Sequence, residues 1–365
     1  MSTQDETNKA LAAERAAEDA EDVAQNAKLA KAQADLKTAQ ADDATDAATI
    51  ASLEAEVARL EGGSTVSKKR LKLSAIQTFP HRKDFPLYVD FPKVFGHLDA
   101  LGIKLIRGQC GPGTSDEAMG FYKTAYEQHG IKCLLTIGEP RVFVTDAQWT
   151  GIEKKLTTLG VAAIDSIYGW NEPNSVRGGG VLPSDWAKQT ANHQKKLAAL
   201  GKKLGVLVAT CAPWSGQPSA TWEAMAAVKA AGQTIDDYDI IAYHQYPRDT
   251  DTKEEVAAFY GNTETQLRKV LNDPDSPFAC TEYGWSTAPK AGASGAVRLT
   301  EDERAKRLPL VADYHVSHGN RHSLFELYNT ADDTQADRED WLGIVWVDNT
   351  RTPAFKAYKA FLAGS

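Results

Sequence analysis

From Leu71 onward, short apolar runs alternate with longer stretches in which apolar residues recur every three or four positions. The runs predict strands at Leu73–Thr78, Lys104–Gln109, Ile131–Ile137, Ala163–Gly169, Val206–Cys211, Tyr238–Tyr243, Phe278–Glu282 and Ser323–Tyr328. The stretches between them predict helices at Ser115–His129, Asp146–Leu159, Ser184–Leu200, Thr221–Ala231, Glu254–Leu271 and Thr300–Ser317, with Pro353–Leu362 closing the chain. Eight strand-then-helix units over residues 71–365 predict an α/β fold of the (β/α)8 TIM-barrel type. A doubly wound sheet is the alternative, but no G-x-G-x-x-G follows the first strand and no phosphate-cradling G-x-x-x-x-G-K-[ST] occurs. The Gly178-Gly179-Gly180 cluster lacks the Lys and Ser/Thr of such a cradle, and its place just past the fourth strand suits a flexible wall of a cleft.

Residues 1–61 follow a different rule. They are rich in Ala, Glu, Asp, Lys and Gln and contain neither Pro nor Gly, the composition of a long exposed helix. Ile50, Leu53, Val57 and Leu60 are spaced 3, 4, 3, a coiled-coil seam, and the same frame puts Leu29, Ala32, Leu36 and Ala39 at seam positions. It also puts Asp43 and Asp46 there, so pairing loosens or the helix breaks at those carboxylates. The expectation is self-association into a homo-oligomer, with a single solvated helix as the alternative. Gly62-Gly63-Ser64-Thr65 ends the helix, and residues 62–70 are expected to be a flexible linker to the barrel at 71–365.

Charge sharpens this division. The net charge of −8 resides in residues 1–62, with 14 acidic against 6 basic side chains, and leaves the remainder at 35 of each. A neutral body gives no footprint for nucleic acid, and the short Lys68-Lys69-Arg70 cluster reads as solvated chain. No apolar run approaches the ~20 residues of a membrane span, and no basic-then-apolar start marks a signal peptide, so membrane insertion is not expected. Cys110, Cys133, Cys211 and Cys280 fall in or at the ends of apolar runs without paired spacing, as buried free thiols do. With eight scattered histidines and no H-E-x-x-H, neither a metal nor a cofactor is expected.

The candidate chemistry lies at two strand ends, where α/β barrels place their active residues. The fourth strand runs into Tyr168-Gly169-Trp170-Asn171-Glu172-Pro173-Asn174, and the seventh into Cys280-Thr281-Glu282-Tyr283-Gly284-Trp285. Paired carboxylates suit glycoside cleavage, because the leaving oxygen needs a proton while the positively charged, oxocarbenium-like centre needs an anion. At these residues the chain resembles the clan A retaining glycoside hydrolases. The resemblance covers roughly residues 71–365, and it implies Glu172 as acid/base, Glu282 as nucleophile and Asn171 as a ligand of the sugar's 2-hydroxyl.

The same resemblance implies roles for Arg107, as partner of the nucleophile, and for the His244-Gln245-Tyr246 segment. Tyr246 would hold the nucleophile, and His244 would contact the sugar or the acid/base. Glu139, in Gly138-Glu139-Pro140, lacks the preceding Asn and either lines the cleft or forms a loop ion pair. Trp214, Trp285 and Trp346 follow strands and are candidates for stacking on sugar C–H faces, whereas Trp149, Trp186 and Trp222 sit near helix starts, as packing residues do. Strand eight departs from the clan pattern, since no Trp ends it and either Tyr328 or the later Trp346 takes the platform position. The expected function is retaining hydrolysis of a polysaccharide or oligosaccharide. A phage-tail enzyme meeting bacterial cell-surface glycan and a cytoplasmic enzyme both fit the composition. The alternative is a carbohydrate-binding or structural module on the same barrel with catalysis lost.

Overall fold

The computed structural model describes residues 28, 31–35, 37–38, 49, 69–80, 86–138, 144–175, 182–213, 219–247, 252–287, 299–329 and 342–364. Eight parallel strands are present: β1 Ser74–Gln77, β2 Leu105–Cys110, β3 Lys132–Ile137, β4 Ile164–Tyr168, β5 Leu207–Ala209, β6 Ile241–His244, β7 Phe278–Tyr283 and β8 Arg321–Leu324. Their order is β5-β4-β3-β2-β1-β8-β7-β6. The two ends meet through the Ala209–Ile240 bridge, where Thr210 N donates to Ile240 O at 2.9 Å. The (β/α)8 barrel expected from the sequence is thereby present.

Helices follow the strands in turn: α1 Phe91–Leu101, α2 Asp116–His129, α3 Asp146–Leu159, α4 Ser184–Leu204, α5 Ala220–Ala230, α6 Lys253–Leu271, α7 Glu301–Ser317 and α8 Pro353–Ala363. The apolar spacing gave all of these except α1, where Pro86 and Pro92 look like breakers. Pro92 falls in the first turn, where its missing N–H costs no hydrogen bond, and Asp90 caps the helix by accepting from Lys93 N.

Strand alternation sorts the lumen into layers. Ala75, Leu105, Leu134, Tyr168, Ala209, Ala242 and Ala279 belong to one apolar cluster, bulky residues of β2–β4 packed against alanines of β1, β5, β6 and β7. Two residues further along, the same faces carry Gln77, Arg107, Thr136 and His244. The polar layer therefore rests on a packed apolar floor.

β7 breaks the alternation to join that layer. Its pairing with β6 runs Ala242–Ala279, Tyr243–Cys280, then His244–Glu282, and the shift against β8 falls in the same segment. One extra residue in β7 is a bulge, and it places Glu282, three positions after the inward Ala279, opposite His244.

Lys69 to Leu73 is helical and leads into β1 at the end of the barrel opposite the catalytic strand ends. The Arg70 guanidinium lies 4.3 Å over the Phe361 ring and 3.6 Å from Asp313. The linker expected over 62–70 thus gives way to anchored chain by Lys69. Further upstream, the described residues are all helical. The seam residues Ile50, Leu53, Val57 and Leu60 lie outside the described residues, as do Leu29, Leu36, Ala39, Asp43 and Asp46.

Candidate active site

Two close backbone approaches set the catalytic strand ends. A Cβ at Gly169 would lie 2.6 Å from Gln194 Oε1 and 2.7 Å from Cys211 N, so only glycine lets the chain leaving β4 run this close to the segment after β5. Contact then continues past the strand, with Ala212 N donating to Trp170 O at 3.1 Å and Glu172 N donating to Ala212 O at 2.8 Å. Gly284 makes the matching approach after β7, where a Cβ would meet Phe325 O at 2.6 Å. Glu172 itself adopts φ +44°, the left-handed region that an L side chain occupies at a cost of roughly 1–2 kcal/mol.

Arg107 is the hub of the site. Its buried Nη1 donates to Glu282 Oε1 at 2.6 Å and to Gln77 Oε1 at 2.7 Å, while Nη2 donates to Asn171 Oδ1 and approaches Thr136 Oγ1 at 3.5 Å. The Tyr246 hydroxyl donates to the other carboxylate oxygen, Glu282 Oε2, at 2.8 Å. Fully buried His244 places Nδ1 3.0 Å from Glu172 Oε1 and 3.4 Å from Glu282 Oε2, with Nε2 3.5 Å from Arg107 Nη2. Because carboxylates only accept, Nδ1 directs its N–H between the two acids. Asn171, its oxygen committed to Arg107, has its amide N–H groups left for a ligand.

These contacts decide the charge of Glu282. Burial alone would push its carboxyl up, but the His244 imidazole, the Arg107 guanidinium and the hydrogen bonds from Arg107 and Tyr246 outweigh burial and hold it below the ordinary glutamate range. Carboxylate oxygens of Glu172 and Glu282 and a ring nitrogen of His244 all lie within 4.8 Å of one another. That spacing would also suit cation ligands, but the guanidinium on Glu282 already supplies a positive charge there.

The structure brings together Glu172, Glu282, Asn171, Arg107, His244 and Tyr246, and of the aromatic candidates it describes, Tyr328 and Trp285 are buried. Tyr328 is fully buried, edge-on to Tyr88 and His97, so it offers no face to a sugar. Trp285 is 2% exposed. Trp346 is half-buried at the start of the turn closed by Thr350 O. Glu139 and Trp214 lie outside the described residues. β8 ends at Leu324, four residues earlier than expected, and the aromatic at its end is Phe325. The Phe325 ring lies 5.7 Å from Phe79 and 6.4 Å from Tyr246, the residue whose hydroxyl donates to Glu282. Sequence reasoning missed Phe325, Gln77 and Thr136. The position of Phe325 follows from ending the last strand correctly, and the other two stand two residues beyond inward-facing Ala75 and Leu134.

No family model matches the chain, and no curated protein matches it. Solved structures do. It is similar to the glycoside hydrolase family 17 β-1,3-glucanosyltransferase from Rhizomucor miehei (14% identity, 78% of this chain and 96% of that chain, TM-score 0.54). It is also similar to a GH128 (subgroup I) endo-β-1,3-glucanase from Amycolatopsis mediterranei, crystallised with laminarihexaose (16%, 79% and 99%, 0.52). A GH128 (subgroup II) endo-β-1,3-glucanase from Sorangium cellulosum is a third (14%, 79% and 98%, 0.53). At these identities the likeness is one of fold.

The strain at Glu172 has a measurable signature. Glu172→Gly relieves the left-handed backbone while Glu172→Ala keeps it, and both lose the contact with His244. Glycine should therefore be the more stable variant by about 1 kcal/mol in denaturant unfolding, the reverse of the order in an ordinary helix or strand interior. Equal stability, or alanine ahead, would rule out a strained conformation.

Proposed function

We propose that this chain is a retaining glycoside hydrolase. The observation that carries the reading is that an oxygen of each carboxylate lies within 4.8 Å of one on the other, a close approach that suits the roughly 5–5.5 Å carboxyl separation of direct attack better than the roughly 6.5–9.5 Å that seats a water. Glu282 attacks the anomeric carbon; the C–O bond to the aglycone breaks, and its oxygen takes the proton of Glu172. Water then attacks the same carbon, gives its proton to Glu172 and releases Glu282. His244 holds Glu172 in line, Arg107 and Tyr246 hold the nucleophile, and Asn171 N–H is available to a sugar hydroxyl. β-1,3-Glucan heads the list of substrates to try, followed by bacterial cell-wall and capsular glycans. The three solved structures named above are a β-1,3-glucanosyltransferase and two endo-β-1,3-glucanases, and a multimeric phage-tail component would meet the others.

Glu172→Gln should lower turnover of a natural glycan by about 10²–10⁴-fold. With an activated aryl glycoside, whose leaving group needs no proton, Glu172→Gln should recover bond cleavage and Glu282→Gln should not. A glycan-binding module without catalysis would instead bind the substrate panel and turn none of it over.

The lowered pKa of Glu282 fixes the sign of the acid limb. The anion survives below the ordinary glutamate range, and both the nucleophile and the stability of its ion pair are lost only as pH falls through the depressed value. In a pH–rate profile, kcat/KM should hold through the ordinary glutamate range on the acid side. A rate already falling at or above that range would contradict an ionised, Arg107-held nucleophile.

The acidic N-terminal segment we read as an assembly module joined to the barrel face opposite the active site. The full chain should scatter light as a dimer or trimer, and Leu53→Asp with Leu60→Asp should dissociate it. Deleting residues 1–63 should leave a monomer with unchanged activity on a small glycoside. A monomeric full-length chain would refute the seam.

A further inference from the structure

The end of β1 contributes a residue that the reaction does not touch and the site nonetheless depends on. Gln77 is buried, and its side chain is fixed at both ends: Nε2 donates to Thr78 O at 2.8 Å and to Arg107 O at 3.3 Å, while Oε1 accepts from Arg107 Nη1 at 2.7 Å. The two carbonyls leave no freedom about which amide atom is the oxygen. Nη1 has two protons, and Gln77 takes one along a fixed direction. The other points at Glu282 Oε1.

We propose that Gln77 is the positioning residue of the nucleophile's ion pair, acting through Arg107. Its chemistry suits the task because it accepts a hydrogen bond without competing for charge. A neutral oxygen orients the guanidinium and leaves its whole positive charge to Glu282, whereas a carboxylate in the same place would divide it. The same clamp sets Nη2, and with it the direction of the Asn171 amide. One short side chain on β1 thus orients groups on β2, after β4 and on β7. The guanidinium needs such a guide, because its Nε–H has no hydrogen-bond partner among the described residues and so does nothing to fix the ring plane.

This inference rests on reading Glu282 as the nucleophile, and its test separates the two. In the full chain, Gln77→Glu and Gln77→Leu are compared with wild type by NMR titration of isotope-labelled glutamate carboxyls, with the Glu282 signal assigned through Glu282→Gln. The kcat/KM pH profile is measured alongside. Gln77→Glu, which keeps the shape, should raise the Glu282 pKa by about one pH unit and move the acid limb with it. Gln77→Leu should lower kcat about tenfold with KM little changed, since the anion remains but its direction is lost. If Glu282 titrates at the wild-type pH in Gln77→Glu, or Gln77→Leu retains wild-type kcat, Gln77 only packs the strand end and the proposal fails. If the hydrolase reading is wrong instead, no glycan is turned over by wild type while the titration shift in Gln77→Glu persists.

Discussion

The buried pairing of Arg107 with Glu282 is the constraint on which the upper barrel depends. Removing two charges from water costs several kcal/mol each, and attraction between them offsets this only when the remaining donors and lone pairs are satisfied. The polar layer reads as the list of those obligations. Gln77, Asn171 and Thr136 face the guanidinium, Tyr246 and His244 face the carboxylate, and together they stand at the ends of four strands, β1, β3, β4 and β6. Replacing the pair with apolar residues would continue the floor of Ala75, Leu105, Leu134 and Ala242 upward at no loss of packing. A pair that stability does not require, held by residues from four strand ends, is what the proposed anionic nucleophile needs.

Presenting that layer takes two departures from regular backbone. Alternation alone would point Glu282 outward, because it stands an odd number of residues from the inward Ala279, and the β7 bulge corrects it. Glu172 lies beyond the last β4 residue and reaches over the lumen from a left-handed backbone. Both irregularities sit beside a glycine that accepts close contact with a neighbouring segment. Strain and register shift are concentrated where two carboxylates must converge, while the apolar layer below supplies the rigidity that sustains them.

The architecture was legible because hydrophobic period reports burial, and each barrel strand is buried on both faces. Helix caps such as Thr145 with Gln148 and Thr300 with Glu303 mark their own positions, so α3 and α7 were placed to within a residue. The end of β8 was not legible, because Phe325-Glu326-Leu327-Tyr328 continues the apolar character of the strand after its pairing has stopped. That one error put Tyr328 beside Trp346 as a platform candidate, although the Tyr328 ring is consumed by packing. Glu172 and Glu282 were singled out as carboxylates at two strand ends and given their roles by resemblance to a known pattern; the bulge that turns Glu282 inward leaves no mark in composition or period. Gln77 was invisible for a different reason. A strand-end glutamine matters here only because Arg107 stands beside it, and such pairing between strands is a property of register.

The exposure of the two acids suits the division of labour proposed for them. The side chain of Glu282 is 9% exposed and that of Glu172 is 22% exposed. A nucleophile exchanges no proton with solvent during the cycle, so it can be enclosed by fixed donors that keep it anionic. An acid/base must give up a proton in one step and recover it from water in the next, so enclosing it equally would slow the return. The geometry places the more accessible carboxyl past the strand end, and it ties that carboxyl to the buried layer through the His244 Nδ1 proton alone among the side chains described here. The same gradient of access runs from the apolar floor to the enclosed anion to the rim acid, so in the proposed reaction the covalent intermediate would form on the less accessible of the two carboxylates.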